Sequence, residues 1–113
     1  MTKKQMSLLQ GTLDVLVLKA VAGESRHGYG VAEWIRQTTD GTLEVEDGAL
    51  YTSLHRMHKR GWLDSEWGVS ENNRRAKYYA LTDDGRAELE RAKGEWARYA
   101  DAVFKVLGRE AGS

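Results

Sequence analysis

Cysteine and proline are both missing from the 113 residues. Without cysteine there can be no disulfide framework, no thiolate zinc site and no cysteine nucleophile. Without proline there is no rigid Pro-rich linker and no residue that forbids a helix. Long apolar runs are also missing, since no stretch approaches the ~20 residues of a membrane span, so no membrane partner is expected. Lys3 and Lys4 precede an apolar run ending in Ala20-Val21-Ala22, which resembles a secretory signal, but Asp14 and Lys19 interrupt it, so no signal is expected. Neither charge is in excess: 17 basic residues balance 17 acidic ones, which argues against a generic polyanion binder.

What is present is the composition of a soluble globular chain, 41% hydrophobic and 30% charged. The length fits one compact domain that buries roughly 65% of its unfolded surface. A reducing cytoplasm suits a cysteine-free chain, so a cytoplasmic location is the expectation. Charge is unevenly spread. Residues 27–47 carry one arginine and five acids, net −4, whereas residues 48–82 carry six basic residues and three acids, net +3. A basic middle third on a neutral whole is compatible with a directed nucleic-acid face, because phosphate contacts depend on local charge.

Periodicity gives the order of elements. Leu9, Leu13, Leu16, Val17, Ala20 and Val21 recur at helical spacing before Gly23. A second helix is predicted from His27–Tyr29, carrying Val31, Trp34 and Ile35 until Thr38-Thr39-Asp40-Gly41. After an extended link over 42–46, Asp47 is the predicted N-cap of a third helix to about Arg60, with Leu50, Leu54 and Met57 inward and Gly61 as the stop. Leu63, Ser65 and Trp67 then alternate with acids, and 77–81 is rich in aromatic and apolar residues. Both segments read as strands, joined by a polar loop over 68–75. Thr82 followed by Asp83 and Asp84 is a helix start, and the final helix runs to about Leu107. Leu89, Ala92, Trp96, Tyr99, Val103 and Val106 form a heptad-like seam along it. Such a helix outreaches the core of so small a domain, so this seam is the expected interface of a homodimer.

Three helices followed by a two-stranded hairpin is the order of a winged helix-turn-helix. The expected fold is therefore mainly α with a small β-hairpin: a winged-helix DNA-binding domain over 1–82 and a long C-terminal dimerisation helix over 83–113. In that architecture the third helix enters the major groove and the hairpin touches the flanking backbone. Ala49, Thr52, Ser53, Arg56 and Arg60 form a small, hydroxylic and basic outer stripe on the third helix, with no acid among them. A solvated surface helix would carry the same stripe. Asn72, Asn73, Arg74, Arg75 and Lys77 gather amides and cations at the hairpin tip, either for phosphate or for solubility.

Five ordered segments carry a resemblance: Leu8-Leu9-Gln10-Gly11-Thr12-Leu13-Asp14, His27-Gly28-Tyr29, Gly48-Ala49-Leu50-Tyr51, Asn72-Asn73-Arg74-Arg75-Ala76-Lys77-Tyr78-Tyr79 and Leu81-Thr82-Asp83-Asp84-Gly85. Together, over about residues 8–107, they resemble the PadR family of bacterial transcriptional regulators. The resemblance implies a winged helix, a dimer through the C-terminal helix, and repression of nearby genes by binding double-stranded DNA at an inverted repeat. It also implies that Tyr51 and Thr52 lie near DNA and that Arg74, Arg75 and Lys77 are wing contacts. A tryptophan at the place of Trp96 forms a platform for planar aromatic effectors in multidrug-responsive members, and a plain dimer core in others. Thr52 and Ala49 depart from the proline and serine common in the family.

Other chemistry lacks support. His55 and His58 stand three apart without a third ligand, so no metal is expected. Glu33 spoils a glycine-rich phosphate pattern begun at Gly28. Ser53 and His55 lack an arranged acid, so no hydrolase triad, no enzyme activity and no cofactor are expected. His27, opening the second helix, either contacts phosphate or caps its neighbours. The remaining alternative is a winged-helix adaptor that pairs with another protein.

Overall fold

The computed structural model describes residues 10–108. Its elements are α1 (Gln10–Ala20), β1 (Arg26–His27), α2 (Gly28–Thr38), α3 (Asp47–Lys59), β2 (Leu63–Val69), β3 (Arg75–Leu81) and α4 (Asp83–Leu107). This is the expected winged-helix order with a long last helix. Leu9 lies outside the described residues. Among those described, no helix is long and apolar enough to cross a membrane.

The core forms around α1. Leu13, Val15, Val17, Leu18, Ala20 and Val21 are all buried, against Val31 and Ile35 of α2, Leu50, Leu54 and Met57 of α3, Leu63, Tyr79 and Leu89. The expected single apolar face is thus too narrow: α1 is covered on nearly every side, as a central helix must be. Its neighbours are ended by specific turns. At the end of α3, Gly61 (φ 82) is left-handed, its N–H donates to the His58 carbonyl and Trp62 N–H donates to that of Met57. These two bonds are a Schellman closure, and they turn the chain directly into β2.

Two expectations about caps and strands need correction. Glu46, not Asp47, is the N-cap of α3, and it makes no side-chain cap bond. Asp47 lies in the first turn, where its charge still favours the helix dipole. The sheet has three strands in the order β1-β3-β2, because Arg26 and His27 pair with Tyr79 and Tyr78. A two-residue strand has no periodicity of its own to detect. The hairpin is also longer than expected, paired from Leu63 opposite Leu81 to Val69 opposite Arg75. Only Glu71, Asn72 and Asn73 remain as its loop, closed by Ser70 N–H to the Arg74 carbonyl and Asn73 N–H to the Ser70 carbonyl. Asn73 takes the left-handed conformation (φ 61), which asparagine tolerates well in such three-residue loops.

The start of α4 is bolted to the turn after α3. Thr82 Oγ1 accepts the Gly85 N–H at 2.9 Å and donates to the Gly61 carbonyl at 2.7 Å, while Thr82 N–H donates to the Trp62 carbonyl. Gly85 is buried against that same Trp62 carbonyl, with no room for a Cβ. The direction of α4 is therefore fixed relative to α3.

Candidate nucleic-acid interface

The outer face of α3 is set by what its inner face buries. Leu50, Ser53, Leu54 and Met57 point inward, which leaves Ala49, Tyr51, Thr52, His55 and Lys59 outward and exposed. One expected outer residue, Ser53, is thereby corrected, and another, Arg56, is partly buried and engaged within the chain. Ser53 is only 1% exposed, and its hydroxyl donates to Asp14 Oδ1 at 2.5 Å. Arg56 grips the same carboxylate with both terminal nitrogens, at 2.8 and 2.9 Å. Donating to the Asp14 carboxylate pushes the guanidinium's already high pKa further up. Serine at a helical surface position reads as solvent-facing until a buried acceptor is known, and that acceptor lies 39 residues away on α1. In place of Ser53, His55 and Lys59 continue the stripe begun by Thr52, beside Arg56. The signal for them was the spacing 52, 55, 59, one face of a helix.

Tyr51 is half-exposed, at 50%, and its ring lies where a Cβ on Gly28 would stand. Glycine leaves room for the Tyr51 ring in this position, which gives Gly28 in the His-Gly-Tyr segment a physical role. His27, preceding it, caps α2: Gly30 N–H donates to Nδ1 at 3.0 Å. Of the two roles open to His27, the cap is the one its ring performs here.

The wing supplies cations and one aromatic that sequence reasoning did not assign to the site. Register places Trp67 opposite Lys77. The Arg75 guanidinium lies 4.4 Å and the Lys77 ammonium 5.5 Å from the Trp67 ring centroid, the geometry of cation–π contacts. Trp67 remains 55% exposed. Its alternation pattern made it a strand residue; nothing local shows that no core element covers it. Tyr51, Trp67, Arg74, Arg75, Lys77 and His27 share one cleft of about 390 Å³ between the helix-turn-helix and the wing. Tyr51 also borders the outer surface of α3 formed with Thr52, His55, Arg56 and Lys59, so it links that surface to the wing cleft, while Ser53 is withdrawn from it.

The α4 seam divides. Leu89, 4% exposed, belongs to the chain's own core, and Ala92 packs against that core. Leu89 is therefore not available to a second copy, and Ala92 is only partly so. Tyr99 and Val106 are exposed, and Val103 is partly so. Trp96 lies at the boundary, 44% exposed, with its indole N–H donating to Thr12 Oγ1 at 2.9 Å. It borders a groove of about 520 Å³ between α1, the end of α3 and α4, with Trp62, Tyr99, Arg60 and Arg91 among its walls.

Comparison with known proteins agrees with this architecture. The model of the transcriptional regulator PadR-like family matches residues 17–91. A PadR family transcriptional regulator from Eggerthella lenta is 32% identical, over 87% of this chain and 83% of its own, with a TM-score of 0.70. A PadR family transcription regulator from Clostridium difficile is 28% identical over 84% and 96%, with a TM-score of 0.68. A transcriptional regulator from Clostridium thermocellum reaches a TM-score of 0.77 at 26% identity, over 85% and 93%. A protein of Lysinibacillus sphaericus is 25% identical over 96 residues. The three structural neighbours are transcriptional regulators, not enzymes, and with a family model matching about two thirds of its length, the chain belongs to the PadR-like family of transcriptional regulators.

Proposed function

We propose that the chain is a homodimeric, sequence-specific DNA-binding repressor whose grip is relieved by a planar small molecule. The observation that carries this reading is that half-exposed Tyr51 joins two unlike surfaces: the α3 face with Thr52, His55 and Lys59, and the wing cleft with Arg74, Arg75, Lys77 and Trp67. A helix with small and polar outer residues suits base edges, while clustered cations suit phosphate. The exposed Tyr99, Val106 and Leu107 with Val103 form an apolar strip on the last turns of α4. That strip is what a second copy would cover, and two-fold pairing would match an inverted repeat. The groove at Trp96 has the volume of a small-molecule site. Its charges are largely paired within the chain, Arg56 with Asp14 and Arg91 with Glu88 and Glu95, so flat aromatic surface rather than net charge favours a ligand there.

The test is titration of the purified protein onto a labelled genomic duplex selected from bound fragments, at fixed salt. Binding that random duplex competes poorly supports the reading. Equal competition would reduce the protein to a non-specific binder, and no binding at all would favour an adaptor that pairs with another protein.

A further inference from the structure

The wing is tied to the body at a second place besides the β1–β3 pairing. Because Gly30 N–H donates to His27 Nδ1, that nitrogen carries no proton, and the ring's single N–H is on Nε2. Nε2 lies 3.0 Å from Glu71 Oε1, so His27 donates to the carboxylate. The side chain is 10% exposed and its ring is held edge-on by Tyr78, with centroids 5.1 Å apart. Both nitrogens are thus committed, one to the first turn of α2 and the other to the wing's loop.

Glu71 is an unusual neighbour for a phosphate-facing loop. It is the only acid between Ser70 and Lys77, beside Arg74 and Arg75, and its side chain is 81% exposed. A free carboxylate there would repel DNA, whereas one drawn back to His27 is turned toward the body. The hydrogen bond from His27 holds its carboxyl below the usual range, so it stays ionised and accepting.

We propose that His27 and Glu71 form a latch that positions the wing relative to α2 and α3, so that wing cations and recognition helix engage DNA in one register. The chemistry that recognises the partner stays with Thr52, His55, Arg75 and their neighbours; His27 and Glu71 are positioning residues. The latch rests on the DNA-binding reading for its purpose but not for its existence, and one measurement tests it without DNA.

Three variants separate the contributions. Glu71→Gln keeps an acceptor and removes the charge. Glu71→Ala removes both. In His27→Asn, the shorter amide oxygen can still cap α2 through Gly30, but the side chain cannot reach Glu71. Heteronuclear ¹⁵N NOEs of residues 71–76 should match those of β2 in the parent and in Glu71→Gln, and should fall in the other two. On operator DNA, Glu71→Gln should bind at least as tightly as the parent. Glu71→Ala and His27→Asn should each bind about fivefold more weakly than Glu71→Gln, with little difference on random duplex, and the double variant His27→Asn/Glu71→Ala should be no weaker than either. Thermal unfolding confirms that each variant is folded. Unchanged NOEs in Glu71→Ala, losses that add in the double variant, or operator affinity equal in Glu71→Ala and Glu71→Gln would overturn the proposal. If the parent binds no DNA while the NOEs fall as expected, the repressor reading fails and the latch stands.

Discussion

Arg56 and Arg75 carry the same guanidinium in opposite settings. Arg56 gives both terminal nitrogens to Asp14, in a contact that also takes the Ser53 hydroxyl. Arg75 is exposed and rests on the Trp67 ring. Arg56→Ala should therefore act on stability, by about 1–3 kcal/mol in chemical denaturation, since it leaves a mostly buried carboxylate short of its partner. It should leave the order of preferred DNA sequences unchanged. Arg75→Ala should act on affinity through phosphate: the slope of log affinity against log salt should become shallower by ~0.9 per protomer, or ~1.8 per dimer. Trp67→Ala should weaken binding while leaving that slope unchanged, because an aromatic ring packed on sugar or base displaces no counterion. An altered slope in Trp67→Ala would mean that the ring acts only by holding Arg75 and Lys77. Thr52→Ala and His55→Ala should change which sequences bind best, as base-edge contacts carry ~1–3 kcal/mol of discrimination for a good pair.

At the scale of elements, much was legible because the cues are local. Thr82 with two acids behind it, Gly61 after a helical run and the alternation through Trp67 each place an element boundary within a few residues. What was illegible depends on distant partners. The strand Arg26–His27 exists only by pairing with β3, and Ser53 turns inward only because Asp14 waits on α1. Two glycines show the same contrast in their close contacts. At Gly85 a Cβ would meet the Trp62 carbonyl, which is backbone and cannot swing aside. Gly85→Ala should cost about 2–3 kcal/mol or more and lower the melting temperature sharply. At Gly28 the obstacle is the half-exposed Tyr51 side chain, which can rotate away. Gly28→Ala should therefore cost less stability but more DNA affinity, by displacing Tyr51 from the cleft. The reverse ranking in melting and binding experiments would contradict these packing assignments.

At the scale of the whole molecule, acid and assembly test different bonds. Hydrogen bonds from Arg36, His27 and Arg91 hold the carboxyls of Glu33, Glu71 and Glu88 below their ordinary range. A folded carboxyl that binds its proton less readily than the unfolded one adds stability above the unfolded pKa, and that contribution is lost as pH falls through the lower folded value. Glu88, with its side chain only 17% exposed, should account for more of this than Glu71 at 81%. The melting temperature should thus decline below about pH 4.5, less steeply in Glu88→Gln. In the proposed dimer, assembly would instead depend on the far end of α4. Leu89 is buried in the chain's own core and Ala92 packs against it, so the interface should lie mainly beyond Trp96, where Tyr99, Val103 and Val106 meet solvent in one chain. Val103→Asp or Val106→Asp should shift the sedimentation distribution to the monomer without unfolding the winged helix, because the new charge would be buried only in the dimer. Leu89→Asp should instead unfold the chain. Since Thr82 and Gly85 bolt the start of α4 to the turn after α3, a ligand beside Trp96 that alters the angle between two α4 helices would also reorient two α3 helices. A twentyfold preference of that ligand for the DNA-incompetent arrangement corresponds to about 1.8 kcal/mol of coupling. Planar dyes should therefore quench tryptophan fluorescence in the parent, lose most of that effect in Trp96→Phe, and weaken operator binding up to that factor. Quenching that persists in Trp96→Phe, or that leaves operator affinity unchanged, would make the groove a packing feature of the dimer and place regulation elsewhere.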